Sequence, residues 1–224
     1  MRLLIVRHGA TLNNAQARYT GQSDVPLNAL GERQAEALGL RLANQRLDAI
    51  VSSDLQRARV TAEAIARHHD QPIQFDSDLR EISLGEWEGL TYAEVLIRDP
   101  DRAAGWQADS LTIAPPGGET TIEFRDRLLR AFDRWRTAYP NETVLWVTHG
   151  GAIGILLCHL LGMDLERRWQ FRRDNTAITE FDIGPNTGRH ASQSPYYAIL
   201  MRLNDTGHLA GIEDGHQSEE RQVL

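Results

Sequence analysis

Short apolar runs alternate along this chain with longer segments of helical period. Runs with the length and composition of buried strands occur at 3–6, 47–51, 72–75, 144–147, 177–183 and 197–203. Between them, apolar positions recur at helical spacing over 29–44, 56–68, 119–138 and 151–161, and in the first of these Leu30, Gln34, Ala37, Leu38, Arg41 and Leu42 define one stripe. Strand-helix alternation of this kind predicts an α/β fold, three-layer α/β/α, with a mainly parallel central sheet. The stretch 89–116 is partly helical, with Tyr92, Val95, Leu96 and Trp106, yet belongs to no strand-helix repeat. It reads as an inserted lid at about 89–119, bounded by glycines and prolines. The expected catalytic domain is therefore 1–208. The polar, aperiodic remainder, 209–224, is expected to be a disordered tail.

Two of the apolar runs end alike. Leu3-Leu4-Ile5-Val6 leads into Arg7-His8-Gly9, and Val144-Leu145-Trp146-Val147 into Thr148-His149-Gly150-Gly151. Ligands of α/β proteins bind outside the carboxyl ends of the parallel strands, so both histidines are expected at one sheet edge. With Arg7 beside the first, they suggest a site that takes an anion and uses imidazole chemistry.

Composition narrows the setting of that site. No apolar stretch in the 224 residues approaches the ~20 needed for a membrane helix. The opening Met1-Arg2-Leu3-Leu4-Ile5-Val6-Arg7 is too soon charged for a signal peptide, so a cytoplasmic enzyme is expected. A net charge of −7 argues against a protein that coats nucleic acid. An anionic substrate would have to be drawn by local arginines and helix N-termini. The single cysteine, Cys158, falls in an apolar helical run and reads as a core residue. Histidine spacing offers no short pair of metal ligands with a third partner, which leaves a zinc hydrolase with little support.

Five segments can be gathered at the carboxyl edge. They are the polar loop from Arg7 to Asn14, Ser52-Ser53-Asp54-Leu55-Gln56-Arg57 at the start of a helix, Leu79-Arg80-Glu81, Pro115-Pro116-Gly117-Gly118-Glu119, and Thr148-His149-Gly150. Phosphoryl transfer without a metal needs such a set. Arg7 and Arg57 would hold a phosphate dianion, and His8 would take the phosphoryl group as a phosphoramidate. A poor alkoxide leaving group needs a proton donor beside it, for which Glu81 is the candidate, and the same group could later deprotonate water. His149 would donate to the phosphoryl oxygens.

Arg7-His8-Gly9 with Asn14, Gly21-Gln22 with Asp24-Val25-Pro26-Leu27, Ser52-Ser53-Asp54-Leu55 with Arg57-Ala58, Leu79-Arg80-Glu81, Gly85-Glu86-Trp87-Glu88-Gly89, Pro116-Gly117-Gly118-Glu119 and Thr148-His149-Gly150 together resemble the histidine phosphatase superfamily, the phosphoglycerate mutase-like family. The resemblance spans roughly 1–208. It implies that His8 is the phosphorylated nucleophile, that Arg7, Arg57 and His149 form the phosphate pocket, and that Glu81 is the proton donor. Asn14, Gln22 and Gly150 become further substrate contacts. It implies no metal or other cofactor. Many members carry glutamate after Arg-His-Gly where this chain has Ala10, a departure that bears on substrate preference. The short 85–90 segment resembles the phosphatase branch, whose substrates include phosphoglycerate derivatives, sugar phosphates and α-ribazole phosphate. The alternatives are a phosphoglycerate mutase and, from another class, a non-catalytic phosphate-binding regulatory module. Expected partners are a small phosphorylated metabolite and at most a second copy of the chain as a homodimer, with neither nucleic acid nor membrane.

Overall fold

The computed structural model describes residues 1–186 and 195–212. The chain opens with β1 (Arg2–Arg7), one helical turn α1 (Leu12–Ala15) and the longer α2 (Ala29–Leu42). Then come β2 (Ala49–Ser52), α3 (Gln56–Ala66), β3 (Ile73–Phe75) and two 3-10 turns at Ser77–Leu79 and Gly85–Trp87. The lid follows as α4 (Tyr92–Arg98) and α5 (Pro100–Ala108), and α6 (Thr121–Ala138) leads back to β4 (Thr143–Thr148). After α7 (Gly150–Leu161) and a 3-10 segment at Leu165–Gln170, β5 (Ile178–Pro185) and β6 (Tyr196–Asp205) complete the sheet.

The strand order is β3-β2-β4-β1-β5-β6. The first four run parallel, β5 lies antiparallel to β1, and β6 lies antiparallel to β5. The apolar runs at 3–6 and 144–147 are continuous because β1 and β4 are central and both their faces are covered. Side chains alternate between two cores. Leu3, Ile5, Val144 and Trp146 pack with Phe124, Leu128 and Phe132 of α6 and Ile153, Leu156 and Leu157 of α7. Leu4, Val6, Leu145 and Val147 pack on the opposite face with Leu38 and Leu42 of α2 and Ala58, Ala62 and Ile65 of α3. The sheet is thus the middle of three layers, as the alternation predicts. Cys158 is buried in α7.

The segment expected as a lid shares a small core with the residues just before it, in which Leu84, Trp87, Val95, Ala103 and Trp106 are buried together. Trp87 and Trp106 meet edge to face at 5.6 Å. These tryptophans therefore fasten the insertion to the body. Arg18 Nη1 donates to Gly89 O at 2.7 Å and Tyr19 N to Leu90 O at 2.8 Å, which ties the lid's first residues to the segment after α1.

One expectation needs correction. The stretch from Arg7 to Asn14, read as a strand end followed by a polar loop, contains α1, whose start is closed by a reciprocal Thr11–Asn14 capping box. A helix this short carries no apolar period to announce it. The tail expected at 209–224 lies outside the described residues from 213 onward, and Leu209 is the last residue of the 3-10 turn Gly207–Leu209.

Candidate active site

Parallel pairing of β1 with β4 sets Arg7 opposite Thr148, and the next hydrogen bond, His8 N to Thr148 O at 3.0 Å, carries the register one step past the sheet. His8 and His149 consequently leave neighbouring strands side by side. Their ring centroids are 5.1 Å apart, and both side chains are buried. Gly9 is obligatory here because a Cβ at that position would lie 2.5 Å from the carbonyl oxygen of Gly31 in α2. The strand end can approach the helix only without a side chain.

His8 Nδ1 lies 2.7 Å from Gly9 O. A carbonyl can only accept, so Nδ1 carries the proton and Nε2 keeps its lone pair. His149 Nε2 bonds Ser53 Oγ at 2.8 Å, and Ser53 is itself held at the end of β2 by its N–H on Val147 O. Burial, then the charge of Arg57 and of Arg7, pushes the pKa of His8 well below the usual histidine value of 6.5. Burial and Arg57 do the same to His149. Both rings are therefore neutral at neutral pH.

Arg57 is buried and spends one N–H of Nη2 on Gly21 O (2.7 Å) and one of Nη1 on Ser23 O (2.8 Å). Burial lowers its pKa to about 10, with Glu81 and Asp24 opposing that shift. Arg7 Nη1 donates to Arg173 O at 2.7 Å. Arg7 Nε, Arg57 Nε and His149 Nδ1 are buried without a protein partner. Neither arginine enters an ion pair among the described residues, in a chain where most arginines do. Such uncompensated donors at one place suit an anion.

Glu81 reaches the same place from the loop after β3. Its Oε2 accepts the N–H of Gly151 at 2.9 Å and its Oε1 that of Ile82 at 2.9 Å. Gly150 opens α7 and makes no recorded bond through its own N–H, which leaves one helix N-terminal donor beside His149.

Asn14 and Gln22 each have one side-chain polar atom engaged within the protein. Asn14 Oδ1 accepts from the Thr11 N–H and hydroxyl, so only its amide nitrogen remains for a ligand. Gln22 Nε2 donates to Glu81 O at 3.1 Å and to Glu119 Oε1 at 3.4 Å, and thereby props the Glu81 loop. The start of α3 is also less open than expected, since Asp24 Oδ1 accepts the Gln56 N–H at 2.6 Å.

Four residues around the site were given no individual role from the sequence, although Ser53 stood in one of the gathered segments. Ser53 orients His149. Arg127 donates to Asp78 O, Arg80 O and Glu81 O and pairs with Glu119 at 2.6 Å, clamping the segment that carries the acid. Asn175 Nδ2 donates to His8 O at 2.8 Å. Arg173 Nη1 donates to Gly150 O at 3.1 Å. The last two lie in Phe171-Arg172-Arg173-Asp174-Asn175, a polar connection without periodicity, and only the return of the chain past β1 gives it a role.

The sequence profile described as histidine phosphatase superfamily (branch 1) matches residues 3–193. The chain is 39% identical over 172 residues to glucosyl-3-phosphoglycerate phosphatase of Mycolicibacterium vanbaalenii, covering 74% of this chain and 76% of that one. It is 31% identical over 183 residues to adenosylcobalamin/alpha-ribazole phosphatase of Escherichia coli, covering 82% and 90%. The crystal structure of the alpha-ribazole phosphatase from Shigella flexneri superposes with a TM-score of 0.82 at 29% identity, over 92% of this chain and 96% of that one. By profile, relatives and fold, the chain belongs to the histidine phosphatase superfamily, branch 1, and stands among its phosphoric monoester hydrolases.

Proposed function

We propose that this chain hydrolyses small-molecule phosphate monoesters through a phosphohistidine on Nε2 of His8, without a metal ion. The observation that carries the reading is the neutral His8 ring, tautomerically fixed by Gly9 O, packed against His149 and beside the buried Arg57 and the half-buried Arg7, neither with a carboxylate partner among the described residues. Arg7, Arg57, His149 and the Gly150 N–H hold the phosphoryl oxygens. The positive charge of the two arginines supplies what a metal would otherwise supply. His8 Nε2 attacks phosphorus as the P–O ester bond breaks, and Glu81 gives a proton to the departing oxygen. A water then surrenders a proton to Glu81 and attacks the phosphoramidate, which releases inorganic phosphate and restores neutral His8. The substrate is a small phosphorylated metabolite, of the kind named for the relatives, met in the cytoplasm.

The test is phosphate release from para-nitrophenyl phosphate in excess chelator, with wild-type protein and His8→Ala. Chelator-resistant release that falls by about 10³-fold or more in the variant is expected when a covalent nucleophile is removed. Release that survives the loss of His8, or that chelator abolishes, would overturn the mechanism. Interconversion of 2- and 3-phosphoglycerate without phosphate release would identify a mutase instead, and phosphate binding without turnover a regulatory module.

A further inference from the structure

Arg57 is aimed by a turn that belongs to no strand or helix. Two of its N–H groups end on Gly21 O and Ser23 O, so the plane of the guanidinium is set by where those two carbonyls stand, and its Nε is left buried without a protein partner. The 21–23 turn draws only two backbone hydrogen bonds from its own surroundings, Ser23 N to Thr20 O at 3.1 Å and Val25 N to Ser23 O at 3.0 Å. Gly21 opens it with a φ of +51°, in the left-handed region.

The carboxylate of Glu88 closes this turn from outside. Its Oε1 accepts the Gln22 N–H at 2.8 Å and the Leu84 N–H at 3.1 Å, and its Oε2 accepts the Ser23 hydroxyl at 2.5 Å. A Cβ on Gly21 would lie 2.1 Å from Glu88 Oε1, so turn and carboxylate are in close contact. All three donors are neutral, and what Glu88 gives the turn is therefore hydrogen bonding and not an ion pair. Its own backbone is anchored on both sides. Trp87 is buried, stacks with the Tyr19 ring at 6.4 Å and meets Trp106 edge to face, while Gly89 N donates to Tyr19 O at 2.7 Å. The chain from Trp87 to Arg57 is thus a series of direct contacts between residues distant in sequence.

We propose that Glu88 is the positioning residue of Arg57: by closing the 21–23 turn it fixes the two carbonyls that orient the guanidinium toward the phosphoryl oxygens. The inference rests on the phosphatase reading above, which gives Arg57 its ligand. A long, flexible arginine left unanchored would have to be ordered by each substrate in turn, whereas a fork already held in plane by the fold meets the phosphoryl group at no such cost. Glu88 itself touches neither the substrate nor the reacting atoms.

The experiment measures hydrolysis of para-nitrophenyl phosphate and of an alkyl phosphate, and inhibition by inorganic phosphate, in Glu88→Ala and Glu88→Gln, each made in wild-type and in Arg57→Lys protein. Glu88→Ala is expected to lower kcat/KM by about tenfold or more and to weaken inhibition by inorganic phosphate by a similar factor. The loss is expected to be equal on the two esters, because Arg57 meets the phosphoryl group and not the leaving oxygen. Glu88→Gln, whose amide oxygen can accept both N–H groups while its nitrogen donates to the Ser23 hydroxyl, is expected to stay within about threefold of wild type. In Arg57→Lys protein, which keeps the charge and loses the fork, Glu88→Ala is expected to cost less than about threefold further. Ser23→Ala, which removes one hydroxyl contact and no backbone bond, repeats the comparison on a smaller scale if Glu88→Ala does not fold. Three results would overturn the role and leave the phosphatase reading intact: a loss as large in Arg57→Lys as in wild type, a loss confined to the alkyl ester, or a Glu88→Gln as impaired as Glu88→Ala. Release from para-nitrophenyl phosphate that does not depend on His8 would overturn the phosphatase reading itself.

Discussion

Gly151 donates its backbone N–H to Glu81 Oε2 at 2.9 Å, and a Cβ at position 151 would lie 2.2 Å from Glu81 Oε1. The first residues of α7 and the candidate acid are thus in direct contact. Any side chain at 151 must move the carboxylate, and because that carboxylate ends a flexible side chain, the fold need not yield. Gly151→Ala is expected to leave thermal stability within about 1 kcal/mol of wild type while lowering kcat for alkyl phosphates by about tenfold or more. A smaller loss is expected with para-nitrophenyl phosphate, whose leaving group needs less protonation. Thermal melts and the two kcat values check both halves, and an equal loss on both esters would count against Glu81 as the proton donor.

Arg127 gathers three carbonyls of the 78–81 segment and the Glu119 carboxylate around one guanidinium. The Arg127–Glu119 pair is mostly shielded, with side-chain exposures of 14% and 17%. Loss of one partner strands the other, a situation that costs about 3 kcal/mol when burial is substantial. Arg127→Met is expected to lower stability by about 2 to 3 kcal/mol in urea unfolding and to reduce kcat through a loosened Glu81. Glu119→Gln, which keeps one oxygen to accept from Arg127 and Ser83, is expected to cost less. A kcat unchanged by Arg127→Met would show that the clamp does not position the acid.

The two buried histidines make stability depend on pH. Their folded pKa values lie well below 6.5, the value they regain on unfolding. Below that pH the unfolded chain binds protons that the native protein refuses, so stability is full above about pH 7 and falls as pH drops toward 5. Each histidine held neutral in the native state steepens that fall within the window. Melting temperatures measured without phosphate across this range are expected to fall, and to fall less steeply in His149→Asn. An unchanged slope in that variant would mean that His149 is not held neutral in the native state.

The sequence by itself determined the layers and the strand ends. Continuous apolar runs at 3–6 and 144–147 read as buried strands, and stripes of helical period over 29–44 and 119–138 as the helices that cover them, because burial shapes both periods. His8 and His149 follow those strands directly, so their meeting at one edge was legible as soon as the sheet was. Tertiary structure decided what local pattern does not carry. Asn14 engages its Oδ1 with Thr11 and Gln22 its Nε2 with the Glu81 loop, and no periodicity reveals which atom of an amide is already engaged. Ser53, Arg127, Asn175 and Arg173 gained their roles from contacts across 23 to 167 positions of chain. A polar residue in a connection has no hydrophobic period to place it, and its partner is set only when the packed layers bring distant loops together.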